Sequence, residues 1–441
     1  MDALRPDVLI IGAGAAGLAA AARLSQAGLR VSIVEARDRI GGRVLTKHPP
    51  GLSSAVELGA EFVHGRPPES FELIKAADLD AQETAGQPFC STQQGVGKCN
   101  FWQRIEKVLE RMKKEGSHDQ SFARFLDELK DPKISAEDKE AACKYVRGFH
   151  AAHPDDISVQ SLIEGMEAEE KIDGDRAFRL PGGYDQLLKA LHQQCEKRHV
   201  QLRLNSPVRR VRWSRGQVEL DVGDNSHKTR LASTRMISTL PLGLLMHSHN
   251  GSDSVQFDPP LTAKTEALSK LRVGHVIRVT MVFRQRFWTA VKAAGKSLEG
   301  MSFLFSEDKA FPAFWSLFPN EAPVLTAWAP AGSAERLSVL SDEEICNQAL
   351  DAVARAFHLS RSSLQQDLVH AYTHNWQTDP FSRGAYSYIG VGGSEAQRAL
   401  AAPLENTIFF AGEATNFEGH HGTVHGAIAS GYRAAAEILS A

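Results

Sequence analysis

An apolar run, a glycine-rich turn and a small-residue stretch follow one another at the start of the chain. Asp7–Ile11 is apolar, Gly12–Gly17 is rich in glycine, and Leu18–Ala27 is rich in Ala and Leu and ends at Gly28. A short apolar run bounded by turn residues predicts a buried strand, and the Ala/Leu stretch closed by glycine predicts a helix. A second strand is predicted at Leu29–Glu35. The pattern therefore predicts a βαβ unit and favours a parallel sheet.

Further elements alternate along the rest of the chain. Residues 66–180 carry dense charges and predict several amphipathic helices. Helices are also predicted at Asp185–Arg198, Asp342–Phe357 and Val424–Leu439. Strands are predicted at Val200–Leu204, Val208–Ser214, Val218–Val222, Met236–Thr239, His275–Phe283 and Thr407–Gly412. We find no internal repeat and no low-complexity linker, which favours interleaved domains over domains in series.

Composition narrows the class of protein. The 441 residues predict two or three domains, and 42% hydrophobic with 23% charged residues is typical of a soluble globular chain. The 50 basic and 53 acidic residues give a net charge of −3, which argues against nucleic acid or an anionic membrane as partner. No apolar run reaches about 18 residues, so no membrane span is expected. The start, Met1–Pro6, leads directly into an apolar strand without the pattern of a signal peptide, and a cytoplasmic location is predicted.

The five cysteines are scattered and show no metal-ligand spacing. The expectation is that all five are reduced, without a structural disulfide, and that no metal is bound. They are Cys90, Cys99, Cys143, Cys195 and Cys346.

The glycine-rich turn carries the first candidate site. Gly12 permits a tight turn, Gly14 lets the backbone approach a pyrophosphate, and Gly17 lets the helix pack closely on the strand. Ala15 and Ala16 would place free N–H groups of the helix N-terminus at the phosphates. Glu35 follows Gly12 by 23 residues (35 − 12) and can accept hydrogen bonds from ribose hydroxyls. Its charge would repel a 2′-phosphate, so the pattern predicts an unphosphorylated dinucleotide.

The next segment separates FAD from NAD. Glu35, Ala36 and Arg37 lead to Gly41-Gly42-Arg43, where two glycines allow close approach and the arginine can reach a pyrophosphate. This string resembles the flavin-containing amine oxidase family, which includes monoamine, polyamine and spermine oxidases and their bacterial relatives. The wider superfamily, with carotenoid desaturases and protoporphyrinogen oxidase, shares it. The string therefore indicates FAD better than it indicates the substrate.

The resemblance spans residues 5–440 and implies a fold. It implies an α/β protein with a Rossmann-like FAD-binding domain of the GR2 type, interleaved with a mixed α+β substrate-binding domain. The predicted FAD-binding segments are 1–75, 181–256 and 371–441, and the predicted substrate-binding segments are 76–180 and 257–370.

Three further segments extend the resemblance into the site. In Leu58–Gly65, the residues Gly59, Ala60, Glu61 and Phe62 would lie beside the flavin, and His64 matches the polyamine oxidase pattern. A lone histidine is more often structural than catalytic, so both roles stay open for His64.

The segment Trp376–Tyr388 resembles a polyamine oxidase motif. It would place Trp376 against the flavin and Tyr386 in the wall of the substrate cage, while Tyr388 fits core packing as well as a functional role. Monoamine oxidases carry the covalent attachment cysteine where this chain has Ala385, so non-covalent FAD is predicted.

In the last segment, Gly412 and Glu413 would contact the ribityl or phosphate region. The helix N-terminus at Thr423, Val424 and Ala427 would meet the flavin pyrimidine and stabilise negative charge there. Val208 is assigned to the cofactor by the same resemblance.

Two residues depart from the family pattern. Thr423 stands where a second cage tyrosine is usual. Arg278 aligns with the lysine that holds a water at flavin N5, and this exchange is not conservative. Arg278 could hold the water differently, alter flavin reoxidation, pair with a substrate carboxylate, or face elsewhere if the register slips.

The resemblance implies oxidation of an amine C–N bond by hydride transfer to flavin N5. An imine would form and be hydrolysed to an aldehyde or ketone, and O2 would be reduced to H2O2. The reacting amine must be uncharged, which predicts activity that rises with pH. The partners would be a small-molecule amine and oxygen, with homodimer formation left open. The alternatives are an oxidase or dehydrogenase of an amino acid or cyclic amine, a desaturase-type flavoprotein, and a flavin-bearing chromatin module.

Acidic residues between 164 and 170 leave two interpretations open. They could attract a polyamine, although a run of charges usually marks a solvated helix face. They are Glu164, Glu167, Glu169 and Glu170.

Overall fold

The computed structural model describes residues 5–115, 118–223, 228–247 and 254–441. The start of the first predicted FAD-binding segment, residues 1–4, and parts of the second, 224–227 and 248–253, lie outside the described residues. The described helices are α1 (Ala15–Gln26), α2 (Pro68–Ala76), α3 (Phe101–Glu115), α4 (Phe122–Glu128), α5 (Ala136–Phe149), α6 (Val159–Glu170), α7 (Asp185–Glu196), α8 (Leu242–Met246), α9 (Thr265–Lys270), α10 (Gly332–Leu337), α11 (Asp342–Phe357), α12 (Arg361–Asp367), α13 (Ala396–Ala401) and α14 (Val424–Ser440).

The strands of the first half of the chain are β1 (Val8–Ile11), β2 (Val31–Val34), β3 (Thr46–Lys47), β4 (Val56–Glu57), β5 (Val63–His64), β6 (Gln82–Glu83), β7 (Gln87–Thr92), β8 (Gly95–Lys98), β9 (Ala177–Arg179), β10 (Gln201–Arg203), β11 (Val208–Ser214), β12 (Gln217–Gly223), β13 (Lys228–Ser233) and β14 (Arg235–Ser238). Those of the second half are β15 (Gln256–Asp258), β16 (Leu271–Gly274), β17 (Val276–Phe283), β18 (Lys292–Ala293), β19 (Lys296–Ser297), β20 (Met301–Ser306), β21 (Ala313–Ser316), β22 (Val324–Pro330), β23 (Leu368–Thr373), β24 (Tyr386–Ile389) and β25 (Ile408–Phe410).

A parallel sheet of order β10-β2-β1-β14-β25 lies at the centre of the nucleotide-binding half. Strands β1 and β2, which precede and follow α1 in the chain, pair in parallel. This confirms the predicted βαβ unit. Strands β14 and β25 come from far along the chain, yet they extend the same sheet in parallel. The mixed α/β fold with a sheet assembled from separate segments is confirmed.

Helix α1 begins at Ala15, earlier than the predicted Leu18, because Gly14 already adopts the extended conformation of a cap. It packs on α7 and α14. The crossing with α14 is close, since a Cβ at Gly431 would lie 2.3 Å from the carbonyl oxygen of Ala16. Small residues on both helices therefore bring α14 onto the nucleotide-binding turn.

A second sheet has the order β23-β17-β22-β21-β20-β7-β8 and draws on residues 87–98 and 276–373. Helix α11 covers it, with Ile345, Leu350 and Phe357 in a shared apolar core. The predicted substrate-binding segments 76–180 and 257–370 stay predictions, and β23 continues past residue 370.

The hairpin β7–β8 departs from the expectation of helices across residues 66–180. It also corrects the expectation about cysteines, because Cys90 and Cys99 form a disulfide with Cα atoms 4.8 Å apart. The hairpin register brings the two ends together, which their separation in sequence does not reveal. Cys143, Cys195 and Cys346 are free. Among the described residues, no helix combines the length and the apolarity that crossing a bilayer requires.

Candidate active site

One cavity of about 3080 Å³ runs from the carboxyl ends of β1 and β2 to the second sheet. This edge of a parallel sheet is where α/β proteins bind nucleotides. The cavity brings together all the predicted site residues except Gly17. Those that line it are Gly12, Gly14, Ala15, Ala16, Glu35, Ala36, Arg37, Gly41, Gly42, Arg43, Gly59, Ala60, Glu61, Phe62, His64, Val208, Arg278, Trp376, Tyr386, Gly412, Glu413, Thr423, Val424 and Ala427.

The three glycines of the turn have three different surroundings. Gly12 has a φ of +103°, and a Cβ there would lie 2.4 Å from Thr239 Oγ1. A Cβ at Gly17 would lie 2.0 Å from the carbonyl oxygen of Gly12, so this glycine serves the packing of helix on strand. A Cβ at Gly14 would meet only the Cα of Gly42, at 4.0 Å.

Gly14 and Gly42 thus leave a cradle in the cavity that any side chain would fill. No side chain caps α1, so its first N–H groups stay open to an anion. The combination of bare Cα atoms, free N–H groups and the positive end of a helix fits the pyrophosphate of FAD.

Glu35 lies at the end of β2 and is buried. Its carboxylate accepts hydrogen bonds from the backbone N–H groups of Ala13, at 2.7 Å, and Arg37, at 2.9 Å. Each carboxylate oxygen accepts one of these bonds and keeps a lone pair for a further donor. Two main-chain contacts therefore fix the orientation of the Glu35 carboxylate at the cavity wall, where it could accept bonds from ribose hydroxyls.

The two predicted arginines of this region are held by protein carboxylates. Arg37 forms a bidentate pair with Asp379, at 2.8 and 2.7 Å, and its guanidinium lies 5.9 Å from the Trp376 ring. Arg43 Nη1 donates to Glu413, at 2.9 Å, and to the carbonyl oxygen of Ala385, at 2.6 Å. These bonds fix both guanidiniums at the cavity wall.

Glu413 connects three parts of the chain. Besides Arg43, its carboxylate accepts bonds from the hydroxyl of Ser387, at 2.5 Å, and from the backbone N–H of Gly422, at 2.9 Å. Burial alone would raise the pKa of Glu413, but Arg43 and these donors hold it below its ordinary value. Glu413 is therefore a charged link between the sheet, β24 and the start of α14.

Glu61 occupies a second buried ionic cluster. Its carboxylate accepts from Arg278 and Arg179 and, at 3.0 Å, from the indole N–H of Trp315. Burial alone would raise the pKa of Glu61, and the two arginines hold it below its ordinary value. Nearby, burial raises the pKa of Glu57 to about 8. The cluster thus joins two guanidiniums and the Glu61 carboxylate beside the cavity, with Glu57 as a neighbouring carboxyl group of raised pKa.

Trp376, Tyr386 and Thr423 all line the cavity. The indole of Trp376 donates to the carbonyl oxygen of Leu58 at 2.9 Å, and the hydroxyl of Tyr386 donates to that of Phe149 at 2.9 Å. Thr423 caps α14, since its hydroxyl accepts from Gly426 N–H at 3.0 Å. The Thr423 hydroxyl therefore supports the N-terminus of α14.

Sequence reasoning missed the residues that complete the chamber around Tyr386. Phe149 and His150, at the end of α5, line it, and the Phe149 ring lies 5.4 Å from that of His64. Burial lowers the pKa of His64 to about 4, and burial with His421 nearby lowers that of His150 to about 3. At neutral pH the chamber wall is aromatic and uncharged.

A row of aromatic rings extends the chamber toward the surface. No motif marks these residues, because they lie on separate elements and meet only in the folded protein. They are Phe101, Trp102, Tyr145, Phe303, Phe305, Trp315 and Trp328.

Known proteins share this architecture. A sequence profile described as flavin containing amine oxidoreductase matches residues 15–439. Probable polyamine oxidase 4 of Arabidopsis thaliana is 28% identical, over 98% of this chain and 86% of the relative. Lysine-specific histone demethylase 2 of Homo sapiens is also 28% identical over 98% of this chain, which spans only 53% of that protein.

The fold is also found among solved structures. Putrescine oxidase bound to putrescine superimposes with a TM-score of 0.81 at 22% identity, over 99% of this chain and all of that one. Together with the cradle for FAD, the family match identifies the enzyme class. The chain belongs to the flavin-containing amine oxidoreductases and is an FAD-dependent enzyme that oxidises amines.

Proposed function

We propose that this enzyme oxidises a small-molecule amine that reacts in its uncharged form, with O2 as the electron acceptor and H2O2 as a product. One observation carries the proposal. The cradle at Gly14 and Gly42 opens, within one cavity, onto a chamber whose walls are the neutral rings of Tyr386, Phe149 and His64.

The chamber prepares the amine for reaction. The charged ammonium form is disfavoured where aromatic rings and neutral imidazoles replace water. Binding in the chamber therefore lowers the pKa of the amine and favours loss of its proton. Tyr386 is fixed by its bond to Phe149, and Trp376 by its bond to Leu58, so both rings present flat, rigid walls to the substrate. The chain's own residues therefore bind, orient and dehydrate the reacting group.

FAD is bound without a covalent link in this proposal. Ala385 lines the cavity and offers no nucleophile, while its carbonyl oxygen is used by Arg43. When bound, FAD supplies the two-electron oxidation that converts the amine to an imine, which water hydrolyses to an aldehyde or ketone.

The substrate carries no carboxylate that needs Arg278. All three guanidinium nitrogens of Arg278 donate to protein atoms, and Glu61 neutralises its charge. This argues against the amino-acid alternative. The similarity to a polyamine oxidase and to putrescine oxidase supports a substrate that contains more than one nitrogen.

A cytoplasmic location and a homodimer stay predictions. The Cys90–Cys99 bond weakens the cysteine argument for a reducing compartment.

Anaerobic flavin bleaching tests the proposal. We expect alkylamines or diamines to bleach the bound flavin, amino acids to leave it oxidised, and admission of air to restore the colour with one H2O2 for each flavin. Because the flavin is bound without a covalent link, all of it should pass through an ultrafilter that retains the protein once the protein is unfolded in denaturant. The proposal is wrong if dithionite bleaches the flavin and no amine does.

A further inference from the structure

The Cys90–Cys99 disulfide lies in the wall of the cavity, next to the row of aromatic rings. Cys90 lines the cavity from β7, and Cys99 lies between the end of β8 and the start of α3. Both cysteines are half-buried, and solvent reaches them in the folded protein. Exposed disulfides are the labile ones, whereas structural disulfides resist reduction. The bond thus combines accessibility with a place beside the cavity.

The hairpin β7–β8 has anchors that do not depend on the disulfide. Its two strands pair with each other, and β7 also pairs with β20. Near the turn, the His358 imidazole contacts the carbonyl oxygen of Thr92 at 3.0 Å. The pairing of β8 ends at Lys98, one residue before Cys99. The disulfide therefore fixes the stretch of chain that leaves the hairpin and enters α3.

The first two residues of α3 belong to the row of aromatic rings. The Phe101 ring stacks on that of Phe305, with centroids 4.3 Å apart. The Trp102 ring lies 6.0 Å from that of Phe305 and 6.1 Å from that of Tyr145. In the pairing of β20 with β7, Phe305 is the partner of Cys90. The disulfide therefore joins the strand position beside Phe305 to a residue two places before Phe101.

This connection holds the first turn of α3 against β20. At Trp102, which is 45% exposed, the row reaches the surface, so the space between α3 and β20 forms an entrance to the chamber. The stack of Phe101 on Phe305 narrows that entrance. The next turn of α3 is anchored separately, since Ile105 and Val108 are buried. A change at the disulfide therefore acts on the first turn.

We propose that the Cys90–Cys99 bond is a redox switch that sets the width of this entrance. In the disulfide state, Phe101 stays stacked on Phe305 and only slender amines pass to Tyr386. In the dithiol state, the first turn of α3 moves away from β20 and bulkier amines reach the chamber. The inference rests on the proposed function for its substrate and its oxidant, and it adds a regulation of that site.

Both directions of the switch are balanced two-electron reactions. A dithiol reductant attacks the bond as a thiolate, passes through a mixed disulfide and ends as a disulfide, while Cys90 and Cys99 become thiols. In the other direction, H2O2 converts one of these thiols, as its thiolate, to a sulfenic acid and releases one water. The sulfenic acid and the second thiol then condense to the disulfide with release of another water. Since H2O2 is a product of the proposed reaction, turnover closes the entrance and a dithiol opens it.

The test compares the two states of the holoenzyme. Dithiothreitol gives the dithiol form and H2O2 restores the disulfide, with each reagent removed by gel filtration under argon. Alkylation followed by mass spectrometry reports the state of Cys90 and Cys99. Anaerobic stopped-flow reduction of the flavin then gives the second-order rate constants for butylamine and for the bulkier diphenylpropylamine. Cys99→Ser cannot form the bond, and the control Cys346→Ser removes a free cysteine and keeps it.

We expect the dithiol form and Cys99→Ser to react with diphenylpropylamine about tenfold or more faster than the disulfide form. The rate constant for butylamine should change by less than about twofold, and Cys346→Ser should behave as the wild type. Equal rate constants in the two states, or an equal change for both amines, would overturn the inference. A bond that dithiothreitol does not reduce in the folded holoenzyme would overturn it as well.

A second measurement separates this inference from the proposed function. Acrylamide quenching of tryptophan fluorescence, taken as the difference between the enzyme and Trp102→Phe, reports the exposure of Trp102 without turnover. We expect quenching to increase when the disulfide is reduced. If no amine bleaches the flavin and quenching still increases, the proposed function fails while the movement of α3 stands. Unchanged quenching overturns the switch, whichever amines react.

Discussion

The guanidinium of Arg278 and the carboxylate of Glu61 form an ion pair in the cavity wall, with side chains only 4% and 3% exposed. Arg278 Nη1 also donates to the carbonyl oxygen of Gly59 at 3.1 Å, and Nε to Thr280 Oγ1 at 3.1 Å. Glu61 accepts in addition from Arg179 and Trp315. Arg278 is therefore fixed by its own carboxylate partner.

Replacing Glu61 should lower the free energy of unfolding. Glu61→Gln leaves two buried guanidiniums without a countercharge, which we expect to lower the free energy of unfolding by about 3–5 kcal/mol. Urea denaturation of the flavin-loaded enzyme measures it. The control is Glu83→Gln, since Glu83 pairs with Arg176 at the surface and its loss should change little. If both variants unfold at the same urea concentration, Glu61 does not stabilise the cluster.

Glu57 should make stability depend on pH. Burial raises its pKa from the ordinary 4.5 to about 8, while its oxygens accept bonds from Tyr184 N–H and Thr46. The unfolded chain releases this proton first, so the stabilisation is complete below about pH 4.5 and is lost as pH rises through about 8. Each pH unit in that interval costs about 1.4 kcal/mol.

Glu57→Gln removes that ionisation and keeps an acceptor for Tyr184. The unfolding free energy of the variant should therefore fall less between about pH 5 and about pH 8 than that of the wild type. Parallel curves for the two proteins would show that Glu57 is already ionised in the folded state.

Gly14 and Gly17 separate cofactor binding from folding. Gly14→Ala adds a Cβ that meets only Gly42, at 4.0 Å, so the fold should persist. The same Cβ fills the cradle, and we expect it to weaken FAD binding by about 1–3 kcal/mol, or roughly 5- to 150-fold in Kd.

Gly17→Ala is the matched variant, because its Cβ would lie 2.0 Å from Gly12 O. It should unfold at lower temperature even without flavin. Flavin content after dialysis and thermal denaturation followed by circular dichroism report the two effects. The assignment of the cradle is wrong if Gly14→Ala retains wild-type flavin affinity.

The sequence predicts the nucleotide-binding unit well because its glycines are required by the backbone conformation and packing of nearby residues. Gly12 adopts a positive φ, and Gly17 allows the helix to pack closely on the backbone of Gly12. Both features depend on residues within the same short turn. The Ala/Leu pattern places the start of α1 too late, because Gly14 caps the helix without a side-chain hydrogen bond. Local chemistry thus predicts the cradle and the elements around it.

The chamber and the ionic cluster depend on contacts between distant parts of the chain. Arg278 and Glu61 are separated by 217 residues, and no pattern near either one indicates the pairing. The sequence leaves the acidic run open between a solvated face and attraction of a polyamine, because periodicity does not show which neighbour covers a helix. Only the tertiary packing of α6 brings Glu169 to the cavity.

The pH dependence of amine oxidation should follow the substrate's pKa. The enclosed imidazoles are neutral well above their lowered pKa values, about 4 for His64 and about 3 for His150 and His425. These imidazoles do not titrate between about pH 6 and about pH 9, and we expect the group that loses a proton there to be the amine, whose pKa in water is about 10. We expect kcat/KM to rise about tenfold per pH unit, and a less basic amine of the same shape to reach its plateau at lower pH. Stopped-flow reduction of the flavin by two such amines measures this, with His64→Gln as the control that leaves the profile in place. An identical apparent pKa for both amines would assign the ionisation to the protein.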